Sequence, residues 1–141
     1  MRSPYIIAAT VVLALSAACT IPSEAHLYNN TGALVTVNAC GTEKRLSPGE
    51  IFKLKSATWC KDPLKLSSQG AVWAYKSAPL GWFSYGYDKY VEQTEIGNHV
   101  VRFQVNRDGA IFVVPVTASL PLSADVGQPN GFPAKPDAGA S

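Results

Sequence analysis

Beyond the first two dozen residues, apolar positions recur at every second residue rather than every third or fourth. This is the period of strands with one buried face. In "ALVTVNAC", Val35 and Val37 alternate with Thr36 and Asn38, and in "IFKLKS", Phe52 and Leu54 read as inward with Lys53 and Lys55 outward. The clearest hairpin is "VVRFQVNRDGAIFVVPV": Val101, Phe103 and Val105 alternate with Arg102 and Gln104, and "NRDG" supplies a turn in which Gly109 can take positive φ. The return strand, Ile111 to Val114, is apolar on both faces and reads as central. Pro115 marks its end or a bulge, because proline donates no ladder hydrogen bond. Turn residues in "NNTG" and "SPGE" separate the runs. No window sustains a 3.6-residue period with caps; the best helical stretch, "LKLSSQG" from Leu64, amounts to one turn. The pattern predicts an all-β domain over residues 26–117, a small antiparallel β-sandwich or partly closed barrel.

Both ends depart from this pattern. Arg2 followed by "YIIAATVVLALSAA" gives a short basic region and an apolar run of about a dozen residues, against the roughly 20 that a spanning helix needs. Residues 1–18 therefore read as an export signal. "SAAC", with Ala17 and Ala18 before Cys19 and Leu15 upstream, resembles the lipobox of bacterial lipoproteins; Ser16 stands where that pattern usually has Leu. The resemblance implies cleavage before Cys19, acylation of that cysteine with palmitate-type chains, and a short linker over 19–25. Thr20 rather than Asp beside the acylated position resembles the outer-membrane sorting pattern, so the cell outer membrane is the expected location. The resemblance covers the export segment only. A second cleavage point stays open: "SEA" before His26 fits an ordinary signal peptidase and would release a soluble periplasmic or secreted protein. At the other end, residues 118–141 are rich in proline and small residues. They are expected to be extended or disordered, a flexible tail in which Leu120, Leu122 and Phe132 are points able to dock.

The chain has three cysteines, an odd number for an exported protein. Either cleavage removes or acylates Cys19 and leaves Cys40 and Cys60, whose disulfide an oxidising compartment favours. A closed loop of about 20 residues would stabilise the fold by roughly 3 kcal/mol on the chain-entropy model. Loss of Arg2 leaves eleven basic against ten acidic side chains, a net charge of +1 that argues against a nucleic-acid partner. The mild basic run between Lys44 and Lys65 reads as the solvated face of strands.

The densest unusual feature is "VWAYKSAPLGWFSYGYDKY", with seven aromatics from Trp73 to Tyr90. In extended chain Trp73 and Tyr75 share one face, and Phe83, Tyr85 and Tyr87 line another. With Trp82 these residues form the candidate binding surface, since aromatics bring area at low entropy cost; filling a β-core is their alternative use. The two histidines define an alternative metal site. If the chain began at His26, its amine and imidazole with His99 would resemble the histidine brace of copper proteins. No GxSxG elbow, glycine-rich phosphate loop or split pair of carboxylates occurs, so no catalytic residue and no cofactor is expected. The expected function is a non-catalytic binding or assembly module for an envelope protein or glycan, anchored to the membrane by lipid. The alternative is a soluble periplasmic copper-binding protein.

Overall fold

A computed structural model describes residues 24–55, 62–75, 87–123 and 126–138. They form two β-sheets packed face to face as a sandwich rather than a closed barrel. The first sheet contains β1 (Glu24–Asn30), β4 (Ile51–Lys55), β7 (Val91–Gln93), β8 (His99–Asn106) and β9 (Ile111–Val114). Its order is β4-β1-β8, with β7 and β9 following one another along the far side of β8. The second sheet has the order β3-β2-β5-β6, from β2 (Val35–Ala39), β3 (Thr42–Leu46), β5 (Leu64–Ser68) and β6 (Ala71–Tyr75). A single helical turn, α1 (Tyr87–Tyr90), leads into β7.

Alternation explains the core. Ala25, Leu27, Phe52, Leu54, Val101, Phe103, Val105 and Val113 bury one face of the first sheet against Val35, Val37, Leu46, Leu64, Leu66 and Tyr75 of the second. β4 shows the expected inward Phe52 and Leu54 between exposed lysines. The hairpin after Asn106 closes as read, with Gly109 at φ 80° and β9 ending at Val114.

Four expectations are corrected. The sandwich is not wholly antiparallel, because β1 runs parallel to β8, with Glu24 opposite Val100 and Asn30 opposite Asn106. "LKLSSQG" is a strand and tight turn: Leu64, Leu66 and Ser68 point inward at every second residue, and Gln69 and Gly70 take φ of 49° and 81°. Positive φ at both loop residues is the type I′ turn that suits the twist of a two-residue hairpin. The strand region also begins before His26: Glu24 and Ala25 pair on both sides, and Ala25 is only 1% exposed.

The fourth correction concerns the C-terminal segment, which is held against the domain over its described residues. Arg102 donates from Nη2 to the carbonyls of Pro115, Val116 and Ala118 at 2.7, 2.8 and 3.2 Å, turning the chain over the outer face of the first sheet. Gln104 then grips Leu122 reciprocally: the Leu122 N–H donates to Oε1 at 2.6 Å and Nε2 donates to the Leu122 carbonyl at 3.2 Å. Gln128 does the same to the backbone of Val113, at 2.8 and 3.0 Å. Ala134 and Ile111 exchange backbone bonds of 2.8 Å each, and Asp137 N–H donates to Ala74 of β6 at 2.8 Å. Phe132 packs on Phe103 at 5.9 Å between ring centroids. Composition predicted disorder because the segment lacks periodicity; its order comes from side-chain amides standing in for strand backbone. This strap also resolves the apolar β9, whose second edge it covers.

Candidate functional site

Among the described residues, a concave surface lies where β1 ends. Asn29 is buried there, and all its side-chain valences are used. Nδ2 donates to the carbonyls of Ala33 and Leu46 at 2.8 and 3.0 Å, while Oδ1 accepts from the Thr31 N–H and hydroxyl at 3.0 and 2.7 Å. A satisfied buried amide of this kind fixes the loop from Thr31 to Leu34. Ser68 Oγ donates to the Leu34 carbonyl at 2.9 Å and ties the loop to the β5–β6 hairpin.

Between loop and hairpin lies a shallow groove of about 610 Å³, lined by Leu34, Thr36, Ser67, Gln69, Val72 and their neighbours. Register builds its floor, since Thr36 pairs with Ser67 and Ser67 with Val72 across three strands of the second sheet. Small hydroxyl side chains in the centre of that row leave the hollow. Its two sides are apolar, with Leu34 51% and Val72 42% exposed. A smaller recess of about 140 Å³ continues toward Trp73 and the exposed Arg107. No carboxylate, imidazole or thiol lines either hollow. What the lining offers is hydroxyls, an amide, one guanidinium and apolar walls.

The edge beside the groove is also open. In a two-residue hairpin the flanking pair, Ser68 and Ala71, exchanges hydrogen bonds, so the backbone groups of Val72 and Ala74 point away from β5. The Ala74 carbonyl is taken by Asp137. Among the described residues, nothing takes the outward groups of Val72.

The sequence-predicted surface is only partly placed. Trp73 is half-buried, its ring laid against Gly109 so closely that a Cβ there would stand 2.8 Å from ring carbons. Tyr75 is 2% exposed and donates its hydroxyl to the Gly109 carbonyl at 2.5 Å. Burial, and then the nearby Asp108 charge, push its phenol well above the usual tyrosine range. Both residues wedge the second sheet against the β8–β9 turn, so Tyr75 is core and Trp73 gives a partner little more than an edge. Tyr90 is buried as well. Tyr87 opens α1. Trp82, Phe83 and Tyr85 lie outside the described residues, as do Cys19 and Cys60. Cys40 is disulfide-bonded and occupies a second type I′ turn with Gly41, at φ 52° and 71°.

The histidines do not converge. His26 stands opposite Arg102 in the β1–β8 register, and His99 lies three residues before Arg102 on β8, so strand alternation places them on opposite faces of the sheet. His26 Nε2 is instead 2.9 Å from Glu24 Oε2, a contact that, with Lys55 and Lys53, holds the Glu24 carboxyl below its usual range. Among the described residues no group of three or more His, Cys, Asp or Glu side chains could hold a metal ion.

Sequence reasoning missed Leu34, Thr36, Ser67, Val72 and Arg107. The signal that would have found them is the "SSQGA" hairpin, which brings Ser67 and Val72 side by side. No family model, no curated protein and no solved structure matches this chain.

Proposed function

We propose that the protein is a lipoprotein of the bacterial cell envelope, held in the outer membrane through acylated Cys19. Its sandwich acts as a non-catalytic binding or assembly module for an extended segment of an envelope protein. One observation carries the binding reading: Val72 presents backbone groups that no described residue pairs with at the edge of β6, directly beside a groove with apolar walls. Such an edge takes an added strand through main-chain bonds, and the adjoining hollow selects its side chains. The rim of the first sheet at β9 is already covered by the strap, so β6 is the better acceptor. A glycan is less well served, because Tyr75 and most of Trp73 are turned inward.

The position of β1 supports the anchor. Cleavage after Ala25 would remove two paired strand residues, one of them in the core, whereas cleavage before Cys19 leaves β1 whole. Among the described residues no helix is long and apolar enough to cross a membrane.

Two measurements test the proposal. The intact mass of the mature protein should show a diacylglyceryl-bearing Cys19; a start at His26 eliminates the anchor. A photo-crosslinking amino acid at position 72 should give one defined protein adduct in intact cells. The same probe at Ile51, which is 44% exposed on β4, should give none. Equal labelling at both positions sinks the binding site.

A further inference from the structure

The end of the first sheet that receives the chain from its N-terminal side also carries the most exposed large hydrophobic residue among the described ones. Ile96 is 84% exposed in the turn joining β7 to β8. Register sets its position. Glu24 lies beside Val100 and Gln93 beside His99, so residues 94–98 project past Glu24 in the direction from which β1 is entered. The turn is firmly built: Thr94 N–H donates to the Asn98 carbonyl at 2.8 Å, Gly97 N–H to the Thr94 carbonyl at 2.9 Å, and Asn98 N–H to Thr94 Oγ1 at 3.1 Å. Ile96 is therefore held out by its turn. Four residues lie between Cys19 and Glu24, and the five backbone steps limit Glu24 to roughly 17 Å from an acylated cysteine.

We infer that the β7–β8 turn rests on the bilayer surface with Ile96 inserted at the headgroup boundary, fixing the sandwich so that the groove faces away from the membrane. This rests on the acylation of Cys19 proposed above. An isolated exposed isoleucine is ordinary on a protein surface; here a short tether keeps it beside lipid, where an apolar side chain gains by partial burial. The pole carries both signs of charge, with Lys53 and Lys55 near Glu24, Glu92 and Glu95, so the contact depends on the isoleucine rather than on net attraction. The groove lies at the opposite end of β1, where Thr31 to Leu34 and Arg107 stand.

The test uses full-length acylated protein in vesicles of phosphatidylethanolamine and phosphatidylglycerol. A polarity-sensitive fluorophore is placed at Ile96→Cys or at Arg107→Cys, with identically treated wild-type protein as the blank. The expected result is a blue-shifted emission at position 96 shielded from aqueous iodide, with the probe at 107 unshifted and freely quenched. Mass spectrometry of the same samples reads acylation separately. Acylated protein whose probe at 96 is quenched as readily as that at 107 overturns the orientation and leaves the anchor standing. Absence of the acyl mass overturns both.

Discussion

Gly109 carries two constraints at once. Its φ of 80° favours glycine, and the Trp73 ring occupies the space a side chain would need. Gly70 has nearly the same φ, 81°, but nothing within 4 Å of a built Cβ. The pair therefore separates backbone strain from overpacking. Gly70→Ala is expected to cost about 1 kcal/mol from the left-handed conformation alone. Gly109→Ala should cost about 2–4 kcal/mol once the displaced indole is added, both read from urea unfolding. Tyr75 makes a second prediction at the same turn. Its folded phenol titrates above the unfolded value of 10, so its stabilisation is complete below pH 10 and is lost as pH rises beyond it. Tyr75→Phe should remove part of the alkaline loss of stability while costing about 1 kcal/mol at neutral pH. A variant that unfolds in alkali exactly as the wild type does would refute this account.

The strap is an element built without a regular element's repeat. Gln128 imitates a neighbouring strand for one residue of β9, and Ala134 takes over the imitation at Ile111. Gln128→Ala is expected to expose the Val113 amide to hydrogen exchange while that of Ile111, bonded to Ala134, stays protected. Equal protection of Val113 in variant and wild type would show that the strap is redundant there. This imitation is also why the segment was illegible in the sequence: amide side chains replacing backbone leave no period to detect. The strands that could be read, β2, β4, β8 and β9, have regular alternation or a complete hydrophobic run. β5 was missed because Gln69 is an uncommon residue for a left-handed turn position, so "LKLSSQG" lacked the Asn-Gly mark of a hairpin. The groove was hidden for another reason. Thr36, Ser67 and Val72 come together only through register across three strands, and register is a non-local property.

For the molecule as a whole, the two cleavage points weighed in the sequence bear directly on the closure of the first sheet. A form beginning at His26 should unfold at lower urea concentration than one beginning at Cys19, by roughly 2 kcal/mol for strand hydrogen bonds worth about 1 kcal/mol each. Equal midpoints would mean that Glu24 and Ala25 contribute nothing. The parallel neighbour of β1 extends this point to synthesis. Asn30 bonds through its side chain to Asn106, 76 positions later, so the strand delivered first gains its final companion only after β8 has followed it. If the chain is threaded across a membrane from its N-terminus, β1 waits on the far side with one flank bare until β8 arrives. Its maturation is thus tied to the passage of β8, and it is during that interval that an escort protein would have most to protect.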